Sequence, residues 1–429
     1  MSLWRWIKSW FGAAPTRDIS RLDTTRSASS ATGDVEERID ISGGPLKEHH
    51  RRRALRDPRL LPKIKSPARQ LGLTKKKAVM SQTEAKRLFG GTLRTRNRQL
   101  RDLLPDEEQL KRLNLPLWRT EDDVAQALGI SRRELWFFSI HRERERRPHY
   151  VTFSLPKRSG GQRLIQAPKR RLKSIQRRLV SLLVSHLPVS EHAHAFRPGR
   201  SIRTGAEPHV GHRLLLKLDL QEFFPSVTFA RVRGLLISYG YSYPVATTLA
   251  VLMTEAERQP VEVDGEVFFV PVGPRHCVQG APTSPGLCNA LLLRLDRRLA
   301  GLARKRQLTY TRYADDLTFS GDLDRAQAES LRALATHLIA SEGFTVNSKK
   351  TRIMASGARQ SVTNVVVNQT LGLSRKERRR WRASAHQLSR RPESERAGLR
   401  AQLEGRIAFL HMLNPRQAEA LARRLPALQ

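Results

Sequence analysis

The chain has 429 residues, 39% of them hydrophobic, which is enough for two or three lobes around a sizeable core and excludes a chain disordered throughout. Lys and Arg number 78 against 40 Asp and Glu, a net charge of +38, so a polyanionic partner is expected, although charge alone does not separate DNA, RNA and an acidic membrane. Two cysteines, Cys277 and Cys288, are too few for a disulfide framework or a four-cysteine zinc site, and no run of ~18 apolar residues is present, so a reducing cytoplasm without stable membrane insertion is expected.

The opening Met1-Ser2-Leu3-Trp4-Arg5-Trp6-Ile7-Lys8-Ser9-Trp10-Phe11 is aromatic and basic, and too interrupted for a signal peptide. It reads either as a loosely ordered end or as a short amphipathic helix against a membrane or partner. Residues 13–47 are polar, with little apolar periodicity, as a linker would be. Arg51-Arg52-Arg53 and Lys75-Lys76-Lys77 follow as basic clusters, either a phosphate-tracking arm or a solvated surface. Residues 1–105 are therefore expected to form a basic, partly disordered extension.

From about Glu107 the pattern becomes globular. Thr120 to Gly129 reads as an N-capped helix closed by glycine. Residues 151–156 and 163–165 read as a hairpin around Ser159-Gly160-Gly161-Gln162, followed by an amphipathic helix over 175–187. Residues 213–219 form an apolar run ending in a carboxylate, consistent with a buried strand. Helices are expected over 229–239 and 285–303, the second with leucines at 291, 292, 295, 299 and 302. Residues 309–313 and 317–320 read as two strands around an Asp-Asp turn. A helix over 324–341 ends at Gly343, and 344–346 is expected to return as a strand. That order fits a split βαβ unit in an α+β fold. The Arg-rich tail from Ser374 is expected to be mostly helical.

The carboxylates carry the chemistry. Phosphoryl transfer from a nucleoside triphosphate uses two divalent cations roughly 4 Å apart, which calls for two or three Asp side chains presented at one point on rigid strands. Asp219 at a strand end and Asp315-Asp316 at a hairpin tip answer that need. A bare Asp-Asp is usually a turn, for which Asp is suited. Tyr313-Ala314-Asp315-Asp316 between strand residues is far more specific.

Tyr313-Ala314-Asp315-Asp316 resembles the catalytic box of reverse transcriptases. The run Leu218-Asp219-Leu220-Gln221-Glu222-Phe223-Phe224-Pro225-Ser226-Val227 resembles the first palm motif of the bacterial branch. Gln279-Gly280-Ala281-Pro282-Thr283-Ser284-Pro285 is similar to the motif beside the incoming nucleotide. His194-Ala195-Phe196-Arg197-Pro198-Gly199-Arg200-Ser201-Ile202 matches the fingers motif of retron and group II intron enzymes. Gly343-Phe344-Thr345-Val346-Asn347-Ser348-Lys349-Lys350-Thr351 resembles the next palm block. Within the branch, Gly205-Ala206-Glu207-Pro208-His209 and Val362-Thr363-Asn364 resemble two retron elements, with Gly205 in place of Asn and Asn364 in place of Gly. Leu403-Glu404-Gly405-Arg406-Ile407-Ala408-Phe409 is similar to a thumb helix of this branch.

The resemblance implies a right-hand polymerase with fingers over 106–212, a split βαβ palm over 213–370 and a basic helical thumb over 371–429. Asp219, Asp315 and Asp316 would be the catalytic residues and the ligands of two Mg²⁺ ions. Arg163, Phe224, Gln279, Gly280 and Lys350 would form the dNTP site. Phe224 would exclude a 2′-hydroxyl, and Lys350, with Lys349 as its rival, would protonate the leaving pyrophosphate. Lys157 is a second candidate triphosphate contact, and His209 either touches RNA or is structural. Arg378, Arg379, Arg380 and Arg382 would grip an RNA stem, unless they form a solvated charged helix. The partners implied are a cognate non-coding RNA as template and primer, its DNA product and, often, a separate effector protein in phage defence. Two alternatives stay open: a group II intron-like or stand-alone bacterial reverse transcriptase, and a non-catalytic RNA-binding protein. Fewer than 70 residues follow Asn368, which weighs against an intron protein with further domains.

Overall fold

The computed structural model describes residues 104–425, apart from 141–144, 157–159, 264, 389 and 391. The aromatic N-terminal segment, the two basic clusters and Lys157 lie outside the described residues.

Three short helices come first: α1 (Glu107–Arg112), α2 (Glu121–Leu128) and α3 (Arg132–Ser139). Thr120 and Asp123 form a reciprocal capping box on α2, and Gly129 closes it in the left-handed region at φ +60°. Strands β1 (Tyr150–Pro156) and β2 (Gln162–Pro168) then pair antiparallel from Tyr150 opposite Pro168 to Pro156 opposite Gln162. The following helix, α4, runs Arg170–Leu182, earlier than the 175–187 expected, and passes into a 3₁₀ turn over Val184–His186. Its arginines prolong the helix toward the N-terminus, because polar residues on the outer face cost a helix nothing.

The short helix α5 (Ile202–Ala206) leads to β3 (Leu214–Asp219), whose Leu214, Leu215, Leu216 and Leu218 are all buried. Two helices follow, α6 (Phe229–Ser238) and α7 (Tyr243–Met253), then the hairpin β4 (Arg258–Val263) and β5 (Glu266–Pro271). The helix expected over 285–303 is two, α8 (Ser284–Leu291) and α9 (Leu293–Lys305). They part at Leu292, whose φ of −80° and ψ of 0° stay right-handed but loosen the helix locally, while its side chain stays in the same apolar stripe.

Strands β6 (Thr309–Tyr313) and β7 (Asp316–Gly321) form the expected tight hairpin, and α10 (Arg325–Ser341) starts on an Asp324 cap. Residues 344–346 do not form a strand. The pairing they were expected to supply comes from β8 (Arg352–Ala355), leaving Val346 only an isolated bridge to Leu220. The palm sheet has the order β6-β7-β3-β8, all antiparallel, with β3 and β7 at its centre. One large apolar cluster joins α1 to α4, this sheet and helices α6 to α10. At roughly 1.5–3 kcal/mol per buried large side chain, it is the main source of stability.

A second cluster holds the C-terminal part together. It contains β9 (Ser361–Val362), β10 (Val365–Val366), α11 (Arg375–Leu388), α12 (Glu393–Leu413) and α13 (Pro415–Ala422). The β9–β10 turn puts Thr363 and Asn364 at φ +46° and +68°. Two successive positive φ values belong to a type I′ hairpin, which favours glycine and then asparagine. Asn364 therefore suits its position.

Candidate active site

The central strands bring the three carboxylates together. In the β3–β7 register Asp219 lies directly opposite Asp316, and Tyr313 lies opposite Asp316 across the β6–β7 turn. Only Ala314 and Asp315 make that turn, with Ala314 at φ +57°. The Leu220 amide donates to the Asp315 carbonyl at 2.9 Å, locking the turn against the end of β3. Two further backbone bonds clamp that end from the other side: Gln221 N–H to the Thr345 carbonyl and Asn347 N–H to the Asp219 carbonyl, both 2.8 Å. These two bonds are the isolated bridge of Val346 to Leu220, which is all the strand pairing that residues 344–347 make. They leave Lys349 and Lys350 in a turn, from which Lys350 reaches over the site.

The Lys350 ammonium donates to both carboxylate oxygens of Asp219, at 2.9 and 3.0 Å. Burial works against the Lys350 charge, but the Asp219 bond outweighs it and its pKa is raised, so it carries its proton at neutral pH. Lys217 lies two residues before Asp219, hence on the same face of β3, and its Nζ sits 2.9 Å from Oδ2 of Asp316. Among the described residues Asp315 forms no ion pair. Burial and then the charges of Asp316 and Asp219 push its pKa up to about 6. The Asp316 pKa is also raised, by burial above all, against the pull of Lys217.

Hard carboxylate oxygens are the donor type Mg²⁺ takes. The two ammonium groups are stand-in cations at Asp219 and Asp316, so the donor chemistry fits a divalent ion. As the side chains stand, no group of three His, Cys, Asp or Glu among the described residues forms a ready-made cage.

Beneath the turn lies a network that the motifs did not announce. The fully buried Arg312 guanidinium bonds both oxygens of Asp296, at 2.7 to 3.1 Å, together with Oδ1 of Asn289 at 2.9 Å and the Ala314 carbonyl at 3.1 Å. Asn289 in turn donates to the Ala195 carbonyl of the fingers motif at 2.8 Å, and Tyr310 donates to Asp296 at 2.8 Å. For Lys217 the available signal was a charge inside an apolar strand; Arg312, in the Thr- and Tyr-rich β6, carried no such signal.

The candidate nucleotide residues are placed as follows. Phe223 is buried in the core, while Phe224 is half-buried and meets it edge-on, with ring centroids 5.3 Å apart. Gln279 and Gly280 press on the fingers hairpin, where Gln166 N–H donates to the Gln279 carbonyl at 2.9 Å. Gly280 has φ +131°, and a Cβ there would stand 2.5 Å from the Gln166 carbonyl oxygen. The glycine thus permits a close approach to this chain's own β2. Arg163 is exposed on that same strand, opposite Leu155. Arg378, Arg379, Arg380 and Arg382 are all exposed on α11, remote in sequence from the carboxylates.

His209 is structural. It is buried between the hydroxyls of Ser320 and Thr311, at 2.6 and 2.7 Å, and burial with the nearby His212 and His194 holds its pKa at about 3. Gly205 packs against His194, where a Cβ would lie 3.2 Å from the histidine Cβ, so the Asn of the related motif would crowd it. Cys277 and Cys288 are free and buried.

Carboxylates on facing strand ends of a four-stranded antiparallel palm, between a fingers hairpin and a helical thumb, define a right-hand nucleic-acid polymerase. Residues 155–384 match the family described as reverse transcriptase, RNA-dependent DNA polymerase. The chain is 62% identical over 418 residues to the retron Mx65 reverse transcriptase of Myxococcus xanthus, covering 97% of this chain and 96% of that protein. It is 40% identical to the Mx162 retron enzyme of the same organism, over 76% of this chain and 70% of that protein. It is 31% identical to the Escherichia coli Ec86 enzyme, over 65% and 81%. The chain belongs to the retron reverse transcriptases and is an RNA-directed DNA polymerase. No helix among the described residues is long and apolar enough to cross a membrane.

Proposed function

We propose that this enzyme copies part of its own structured non-coding RNA into single-stranded DNA that stays joined to the RNA, starting from the 2′-hydroxyl of a guanosine. The observation that carries the catalytic part is the direct opposition of Asp219 and Asp316, with Asp315 held in the two-residue turn beside them. The likeness to retron enzymes supports the RNA-linked product.

Asp219, Asp315 and Asp316 would hold two Mg²⁺ ions, which when bound stabilise the attacking and leaving oxygens of phosphoryl transfer. Phe224 closes the sugar side of the pocket, where its ring leaves no space for a ribose 2′-hydroxyl. Gln279 and Arg163 bind the incoming dNTP, and Gly280 keeps the Gln279 segment against the strand that carries Arg163. Lys350 holds a proton over the site and gives it to the departing pyrophosphate. The exposed arginines 378, 379, 380 and 382 follow the phosphates of a stem in the cognate RNA. The setting is the cytoplasm, in phage defence with a separate effector protein.

The test is to purify the full chain with its co-expressed upstream RNA and measure Mg²⁺-dependent dNTP incorporation. DNA joined through a 2′,5′ branch is expected, with incorporation lost by at least roughly a thousandfold in Asp315→Ala. Ordinary 3′-primed product alone would defeat the retron reading, and full activity in Asp315→Ala would defeat the site.

A further inference from the structure

The two lysines on the carboxylates are held differently. Lys350 hangs from a turn with its side chain 57% exposed, whereas Lys217 is 22% exposed and rooted in the central strand between the fully buried Leu216 and Leu218. Its strand neighbours are fixed on both sides, Thr318 on β7 and Arg352 on β8. A flexible lysine on a turn can follow a substrate. One in mid-strand has its backbone fixed, so its ammonium stays within reach of Asp316 and can return to it whenever the site empties.

We propose that Lys217 is a built-in countercharge for Asp316: it holds the carboxylates together while the site is empty and competes with the divalent ion for Asp316, thereby setting the enzyme's cation affinity. Lys217 is a positioning residue, acting through Asp316 rather than on substrate. Two burdens meet in it. Three carboxylates crowded at one strand end repel one another, and a resident +1 charge relieves that repulsion before any ion arrives. The same charge, 2.9 Å from a ligand oxygen, must be outcompeted when the ion comes. The inference rests on reading the three aspartates as metal ligands, and its test is arranged to separate the two.

The experiment follows thermal unfolding of the full chain, without nucleic acid, across a Mg²⁺ titration. A ligand that binds only the folded state raises the melting temperature according to its affinity. Lys217→Met is expected to melt lower than wild type without Mg²⁺ and to reach its half-maximal Mg²⁺ shift at a concentration roughly three- to tenfold lower. Lys217→Arg keeps the charge and is expected to restore the wild-type midpoint, a rescue that a purely packing role would not give. If Lys217→Met does not fold, Lys217→Gln is read in the same way. A midpoint equal to or above that of wild type in the uncharged variants overturns the proposal while leaving the metal site standing. A wild-type protein with no Mg²⁺ shift, or one whose shift persists unchanged in Asp315→Asn, overturns the metal-site reading and this proposal with it.

Discussion

In the palm, Asp219 and Asp316 sit on the ends of paired strands and Asp315 in the turn beside them, the first buried and the other two half-buried, with ammonium groups within 3.0 Å of Asp219 and Asp316. In the thumb, Arg378, Arg379, Arg380 and Arg382 project from one helix into solvent. Like charges are gathered in both places, but only the palm fixes them through backbone hydrogen bonds and strand register. Chemistry that depends on fractions of an ångström needs that rigidity. Tracking a phosphate backbone needs only density of charge, because each contact is screened and replaceable.

The sharpest way to break this contrast is Arg312→Met. It would leave Asp296 buried with only the Tyr310 hydroxyl and no countercharge, at a cost of about 3–5 kcal/mol in denaturant unfolding, and would free the Ala314 carbonyl that steadies the turn. A cost near that of an exposed arginine would mean the palm is not rigidly braced.

Asp315 offers a second measurement. Its folded pKa of about 6 lies above the ordinary carboxylate value of 3.8, so between those values the folded protein alone holds the proton. Stability from this group is fully present below about pH 4 and is lost as pH rises through 6. Asp315→Asn is therefore expected to flatten that part of the metal-free stability profile and to add on the order of 1–3 kcal/mol at pH 7. An unchanged profile would show that neither burial nor the neighbouring carboxylates hold the Asp315 pKa up.

In the thumb, replacing Arg378, Arg379, Arg380 and Arg382 by alanine one at a time should leave folding within about 0.5 kcal/mol. Each loss should lower the slope of log affinity against log salt for a structured RNA by about 1. A loss concentrated in one arginine would instead indicate a specific contact. The smallest effect is expected for Asn364→Gly, a change of a few tenths of a kcal/mol in stability, since both residues accept φ +68°.

Much of this was legible in the sequence because the functional residues cluster in short runs whose strand periodicity is plain. The run 213–219 and the 309–320 hairpin needed only alternation and an apolar stretch to be placed. Helix α7 escaped because it is buried nearly all round, so it shows no amphipathic stripe. The joint at Leu292 escaped because a local loosening within the right-handed region does not interrupt an apolar series. The strand expected at 344–346 shrinks to one bridge: Thr345 and Asn347 pair with Gln221 and Asp219, and the chain turns away at Ser348 before a ladder can extend. Lys217 looks like an error in an apolar strand, and Arg312 like an ordinary polar strand residue, until their partners, Asp316 and Asp296, are brought to them by the fold. The boundaries expected for fingers, palm and thumb remain our proposed division of the chain.

The glycine at 280 has a mechanical consequence. With Gln166 already in van der Waals contact and hydrogen-bonded to Gln279, strand β2 cannot swing toward the palm at this joint without collision. The inner end of the hairpin and the Gln279 segment therefore travel as a single body. At the outer end of the hairpin, Gly160 and Gly161 take φ angles of 86° and 79°, which only glycine adopts without strain, so the two ends of β2 each depend on a glycine for a different reason: close approach at one, turn geometry at the other.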